Sequence, residues 1–125
     1  MSSLKKMMLA LLVFSALVFL MLYTNFDDVQ INKYPSMDEV REDTAIQKGW
    51  IPTIIPDSAY DISETHDLDT NTLFGSFFYK EKDETGFMDH LTVQEDMNNT
   101  LHWGNFFFKV DTEANHVQYR NRPSL

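Results

Sequence analysis

Met7 to Tyr23, read as MMLALLVFSALVFLMLY, is a run of seventeen residues without a charge, preceded by Lys5 and Lys6. No other stretch constrains the fold so strongly. As a helix rising about 1.5 Å per residue it spans roughly 25 Å, and nearly 30 Å counted from Leu4, which is about the thickness of a bilayer's hydrocarbon core. A removable signal peptide has an apolar core of about 7–15 residues and then a small-x-small cleavage site. Here the run is longer, Leu20 to Phe26 holds no Ala-x-Ala-like pair, and Ser15 and Ala16 lie in mid-run. The sequence therefore predicts an uncleaved signal anchor at 7–23. Cleavage and a buried helix of a soluble protein are the alternatives.

The flanks set the direction. Lys5 and Lys6 precede the run, Asp27 and Asp28 follow it, and positive residues stay on the cytoplasmic side. The expectation is a single-pass protein of the bacterial inner membrane. Residues 1–6 would be cytoplasmic, and everything after Tyr23 periplasmic or extracellular. Ala10, Ser15 and Ala16 form no small-xxx-small pair, so no helix-dimerisation face is predicted and no oligomeric state is assigned.

Setting Lys5 and Lys6 aside leaves eight cations against nineteen acids beyond the run, a net charge of −11 with histidines neutral. Such a domain repels nucleic acid and favours a basic protein partner or simple solubility. About a hundred residues suffice for one small domain with a thin core. Seventeen aromatics, most of them outside the apolar run, compensate for the size, and the absence of cysteine removes disulfides and thiol chemistry.

In chain order, 24–35 reads as a polar tether. Ser36 with Glu39 three residues on is a capping-box start, and Gly49 is a natural C′ residue, so a weakly amphipathic helix is expected over Met37–Lys48. Pro52 and Pro56 forbid a regular helix or central strand between them, which predicts an extended segment with Trp50 and Ile54 inserted in the core. From Ile62 the period becomes two: Ile62, Glu64 and His66 share one face, while Ser63, Thr65, Asp67 and Asp69 share a polar one. Thr72–Tyr79 is a more apolar strand in which Gly75 suggests a bulge. Phe87, Met88 and Leu91 have helical spacing, Glu95–Thr100 reads as a turn, and Leu101–Val110 pairs with His116–Arg120 as a hairpin. The fold class is α+β: a small antiparallel sheet of about four strands packed with one or two short helices, occupying 36–121, with a tail at 122–125.

Residues 49–78, GWIPTIIPDSAYDISETHDLDTNTLFGSFF, resemble a segment of bacterial membrane-anchored proteins of the YbbD-head type. The matching positions are Gly49, Trp50, Pro52, Pro56, Ser58, Ala59, Glu64, His66, Asp67, Asp69 and Asn71. The resemblance implies a small envelope-associated domain and carries over no activity, cofactor or catalytic residue.

The most site-like run is His66-Asp67-Leu68-Asp69-Thr70-Asn71. Asp67, Asp69 and Asn71 open like a calcium loop, but Thr72 stands where Gly is needed and Phe78 where a bidentate Glu belongs. Asp67 and Asp69, roughly 7 Å apart along one strand face, could in principle pair for acid–base work on a sugar. The simpler expectation is that these carboxylates accept backbone N–H bonds and pin a turn. His66, Asp67, Asp69 and Asn71 are thus the metal or hydrolase candidates. His90, His102 and His116 lack zinc-ligand spacing, and no Gly-x-Ser-x-Gly or phosphate loop exists, so no cofactor is expected. Trp103, Phe106 and Phe108 are candidate interaction residues unless the Met37–Lys48 helix covers them. The reading is a membrane-anchored binding domain without catalytic activity. An immunity protein against a basic secreted toxin and an envelope hydrolase using His66, Asp67 and Asp69 are its alternatives.

Overall fold

The computed structural model describes residues 2–26, 29–94 and 100–122. Helix α1 runs from Ser3 to Phe26. Its Ser3–Tyr23 portion has a mean hydropathy of 2.2, none of it is buried, and its 21 residues are enough to cross a membrane or to serve as a signal sequence. Leu, Met, Phe and Val surround the helix, so it has no polar side to turn to water.

The rest is α+β, with more strands than sequence periodicity suggested. Strands β1 (Val29–Ser36), β2 (Tyr60–Asp67), β3 (Thr72–Phe78), β4 (Thr92–Gln94), β5 (Thr100–Trp103), β6 (Phe106–Asp111) and β7 (His116–Arg120) form one sheet, all pairs antiparallel, in the order β1-β2-β3-β7-β6-β5-β4. Helix α2 (Met37–Glu42) follows β1, and a 3-10 turn (Glu81–Asp83) leads into α3 (Glu84–Met88). Both pack on one sheet face together with the loop through 45–59. Met37, Val40, Ala45, Ile51, Ile55, Ala59 and Phe87 meet Tyr34, Ile62, Leu73, Phe77, Phe108, Val117 and Tyr119 in a single core.

Several expectations are corrected. The stretch 24–35 is not all tether: from Val29 it is edge strand β1, with Tyr34 only 6% exposed and its hydroxyl donating to Asp43 Oδ2 at 2.5 Å. Pro35 is tolerated there because an edge strand leaves one side unpaired. Helix α2 stops at Glu42 instead of Lys48, since Thr44 takes a left-handed φ of 53° and turns Ala45 into the core. Its start is as expected, Glu39 reaching back to the Ser36 N–H at 3.1 Å. In the two-proline segment Ile51, Pro52, Ile55 and Pro56 are the buried residues, while Trp50 and Ile54 are only half-buried.

The bulge lies in β2, where Asp61 has φ 46° and the register shifts between Tyr60 and Ser63. Gly75 serves another purpose. A Cβ there would lie 2.4 Å from the Ser63 carbonyl oxygen and 2.5 Å from the Tyr119 ring, so the missing side chain is what lets Tyr119 lie across β3. Leu101–Val110 is two strands instead of one, broken at Gly104 with φ 57°. Of the turn expected at Glu95–Thr100, Thr100 begins β5 and the remaining positions lie outside the described residues.

Candidate functional site

The alternation expected from Ile62 onward holds to the end of β2: Ile62, Glu64 and His66 are buried, and Ser63, Thr65 and Asp67 face the other way. Two ionisable groups therefore point into the protein. Glu64 is fully buried. Its Oε1 lies 2.6 Å from His66 Nδ1, and its Oε2 accepts from Asn32 Nδ2 at 2.9 Å. The second imidazole nitrogen, Nε2, is 3.1 Å from Gln30 Oε1. Gln30 and Asn32 are directly opposite His66 and Glu64 in the β1–β2 register, so the ladder itself brings the four side chains together. Among the described residues no buried side-chain nitrogen or oxygen lacks a partner.

A lid of stacked groups covers this chain. Trp50 lies on the His66 ring at 4.6 Å between centroids, with 23° between planes, and Lys48 Nζ sits 4.6 Å above the indole. Lys48 also pairs with Asp43 at 3.1 Å, and the Trp50 carbonyl accepts from the Tyr119 hydroxyl at 3.0 Å. The Tyr34 and Tyr119 hydroxyls are both held well above the ordinary phenol range. Burial is the main cause; Tyr34 then has its bond to Asp43, and Tyr119 the nearby Glu64 charge. A cleft of about 350 Å³ opens beside the stack, lined in part by Lys48, Trp50, His66, Asn71 and Asn105.

The candidates named from sequence do not converge. His66 turns inward, and both ring nitrogens are engaged. Asp67 is on the opposite face, where its Oδ1 accepts the Asp69 N–H at 2.9 Å and closes the β2–β3 turn. Asn71 takes the left-handed position of that turn, at φ 53°, and its carbonyl accepts from Asn121 Nδ2 at 2.9 Å. Among the described residues no three His, Asp or Glu side chains gather as a metal site. Asp67 and Asn71 hold the β2–β3 turn through these bonds.

Of the aromatic candidates Phe108 is a core residue, and Trp103 and Phe106 are half-buried against the core. Phe108 is 3% exposed and meets Phe87 edge-on at 5.9 Å, Phe106 meets Tyr119 at 5.8 Å, and Trp103 packs half-buried on the same cluster. Phe87 of α3 is the helical residue that meets Phe108. The residues that sequence reasoning missed are Glu64, Gln30 and Asn32. Glu64 gave a signal, being a charge on the same period-two face as Ile62. Gln30, Asn32 and Tyr34 alternate with Val29, Ile31 and Lys33 in the same way, inside what looked like a tether.

Neither the curated proteins nor the solved structures contain a match to this chain. Residues 28–78, from the start of β1 to the last residue of β3, match the family model of the YbbD head domain, and over that stretch the chain is similar to YbbD-head-type proteins.

Proposed function

We propose that the protein is a single-pass inner-membrane protein with its N-terminus in the cytoplasm and its sheet domain outside, and that the domain works by binding. The observation that carries this is the exposure of α1: a 21-residue apolar helix with none of its surface covered by the rest of the chain. In water that surface would be unfavourable by about 25 cal/mol per Å² of apolar area, and a bilayer provides the cover. Lys5 and Lys6 before the helix and Asp27 and Asp28 after it support the direction.

The binding reading is supported by what His66 and Asp67 do. The imidazole is locked between Glu64 and Gln30, and Asp67 holds a turn on the other side of the sheet. The layer of α2, α3 and the adjoining loops carries Asp38, Glu39, Glu42, Asp43, Asp57, Glu81, Asp83, Glu84 and Asp89 against few cations. A basic protein partner suits that side.

The experiment is fractionation with protease access. The full-length mass should stay in the alkali-washed membrane pellet, and the domain should be digested in spheroplasts but not in intact cells. A soluble chain, or one beginning after Tyr23, sinks the anchor; protection in spheroplasts sinks the topology.

A further inference from the structure

Outside α1 the described residues expose five large apolar side chains: Val29, Ile31, Leu68, Phe74 and Val93. Val29, Ile31 and Phe74 occupy one end of one sheet face, and Leu68 lies in the β2–β3 turn at that end. Val29 and Ile31 alternate with the inward Gln30 and Asn32, and Thr65 lies directly between Ile31 and Phe74 across the ladder. Val29 is opposite Asp67, and Leu68 follows it in the turn. That end is also where the chain leaves α1. Phe26 ends the helix and Val29 begins β1, and three Cα–Cα steps of 3.8 Å reach at most about 11 Å.

We infer that this end of the uncovered face, through Val29, Ile31, Leu68 and Phe74, lies on the lipid surface from which α1 emerges. Two arginines sit at the right level to meet headgroup phosphates. Arg120 is opposite Phe74 in the β3–β7 ladder, and the Arg122 guanidinium donates to the Thr70 carbonyl in the same turn as Leu68. Neither forms an ion pair among the described residues. Long cationic side chains beside apolar ones are the usual pattern of an interfacial surface, with apolar groups below the headgroups and guanidinium among the phosphates. Asp67 and Asp69 offset the two arginines, so apolar burial supplies the attraction and charge does not oppose it. The acidic helical layer lies on the other face of the sheet, where lying flat carries it away from the headgroups. The inference rests on the anchored reading, and the experiment separates the two.

The chain has no cysteine, so single cysteines can be introduced and labelled. Lys33→Cys places a fluorophore on the uncovered face, next to Ile31 along β1. Asn105→Cys places one on the opposite, cleft side at the same end of the sheet. The full-length chain is reconstituted in phosphatidylcholine vesicles containing phosphatidylglycerol and a nitroxide-headgroup lipid. Quenching is expected to be several-fold stronger at residue 33 than at residue 105, and Ile31→Ser with Phe74→Ser should bring the two near equality while the chain still floats with the vesicles. Equal quenching of the unmodified surface with flotation intact overturns the lipid-facing orientation but leaves the anchor standing. Failure to float overturns both. A residue-33 label shielded equally in detergent micelles, or cross-linked there to a second copy, assigns the face to a protein instead and also overturns the proposal.

Discussion

Replacing Glu64 by Ala removes the acceptor at the centre of the Asn32–Glu64–His66–Gln30 chain. The carboxylate is fully buried, and two donors depend on it, Asn32 Nδ2 at 2.9 Å and His66 Nδ1 at 2.6 Å. A buried donor left without a partner costs about 1–3 kcal/mol, and Glu64→Ala strands two of them. The expected loss for Glu64→Ala is therefore about 2–6 kcal/mol, much of the total for a domain of this size, where stabilities of about 5–10 kcal/mol are usual. With a urea dependence of roughly 1–1.5 kcal/mol per molar, the midpoint should fall by at least about 1 M. The assay is urea unfolding of the full chain in detergent, read by tryptophan fluorescence, which responds directly because Trp50 stacks on His66. The decisive arm is the cycle with Glu64→Leu and His66→Leu. Each single change strands the other group, whereas the double change replaces the pair with packed apolar side chains and should recover most of the loss. A single-variant loss below about 1 kcal/mol, or a double variant as weak as the sum of the singles, would refute the account of Glu64 and His66 as a structural couple.

Gly75→Ala should destabilise by at least about 1–3 kcal/mol, and Tyr119→Ala in the same chain should not restore it, because the Ser63 carbonyl oxygen still lies 2.4 Å from the new Cβ; midpoints from the same urea titration decide. Asp43 is held below the usual carboxylate range, first by the Tyr34 hydroxyl and then by Lys48. A depressed folded-state value contributes stability above the unfolded value, near pH 4, that is lost as pH falls through the folded one. The stability gap between the wild-type chain and Asp43→Asn should thus be full at pH 7 and close progressively below about pH 4; a gap that widens on acidification contradicts this. Asp67→Ala with Asp69→Ala should leave the fold intact and lower stability by only about 1 kcal/mol, as expected for an exposed turn acceptor, with the thermal midpoint moving a few degrees. Global unfolding would mean that the turn carries more than its hydrogen bond.

The sequence was most legible where one period ran unbroken. The apolar run before Tyr23 gave a helix because no charge interrupts it. The inward set Ile62, Glu64 and His66 was visible because β2 alternates strictly. Reading failed where two signals competed. Gln30, Asn32 and Tyr34 alternate as cleanly as β2 does, but an edge strand with Lys33 and Pro35 on its outer face has the composition of a linker. Gly75 is marked in the sequence only as a missing side chain, and its reason, the Tyr119 ring laid across it from the neighbouring strand, is a contact over more than forty residues that local pattern does not contain. Phe106 and Phe108 of β6 were read as a possible surface because nothing in the sequence pairs Phe108 with Phe87.

The buried carboxylate also has a structural consequence for β1. β1 is an edge strand, hydrogen-bonded on one side only, and it receives the chain directly from α1. Any displacement passed along residues 27–28 acts on Val29 first. Ladder bonds alone tolerate a slipped register, since each N–H and C=O finds a new partner two residues along. The side chains do not tolerate it. A slip of one residue would move Gln30 and Asn32 to the uncovered face and set Val29 and Ile31 against Glu64 and His66, leaving a fully buried carboxylate beside hydrocarbon. An apolar pair at positions 64 and 66 would accept Ile31 as readily as Asn32. Directional bonds to Gln30 and Asn32 thus penalise the one-residue slip. The Glu64–His66 couple thus fixes β1 to the sheet at the point where the chain arrives from α1, and the same register keeps Val29 and Ile31 on the uncovered face.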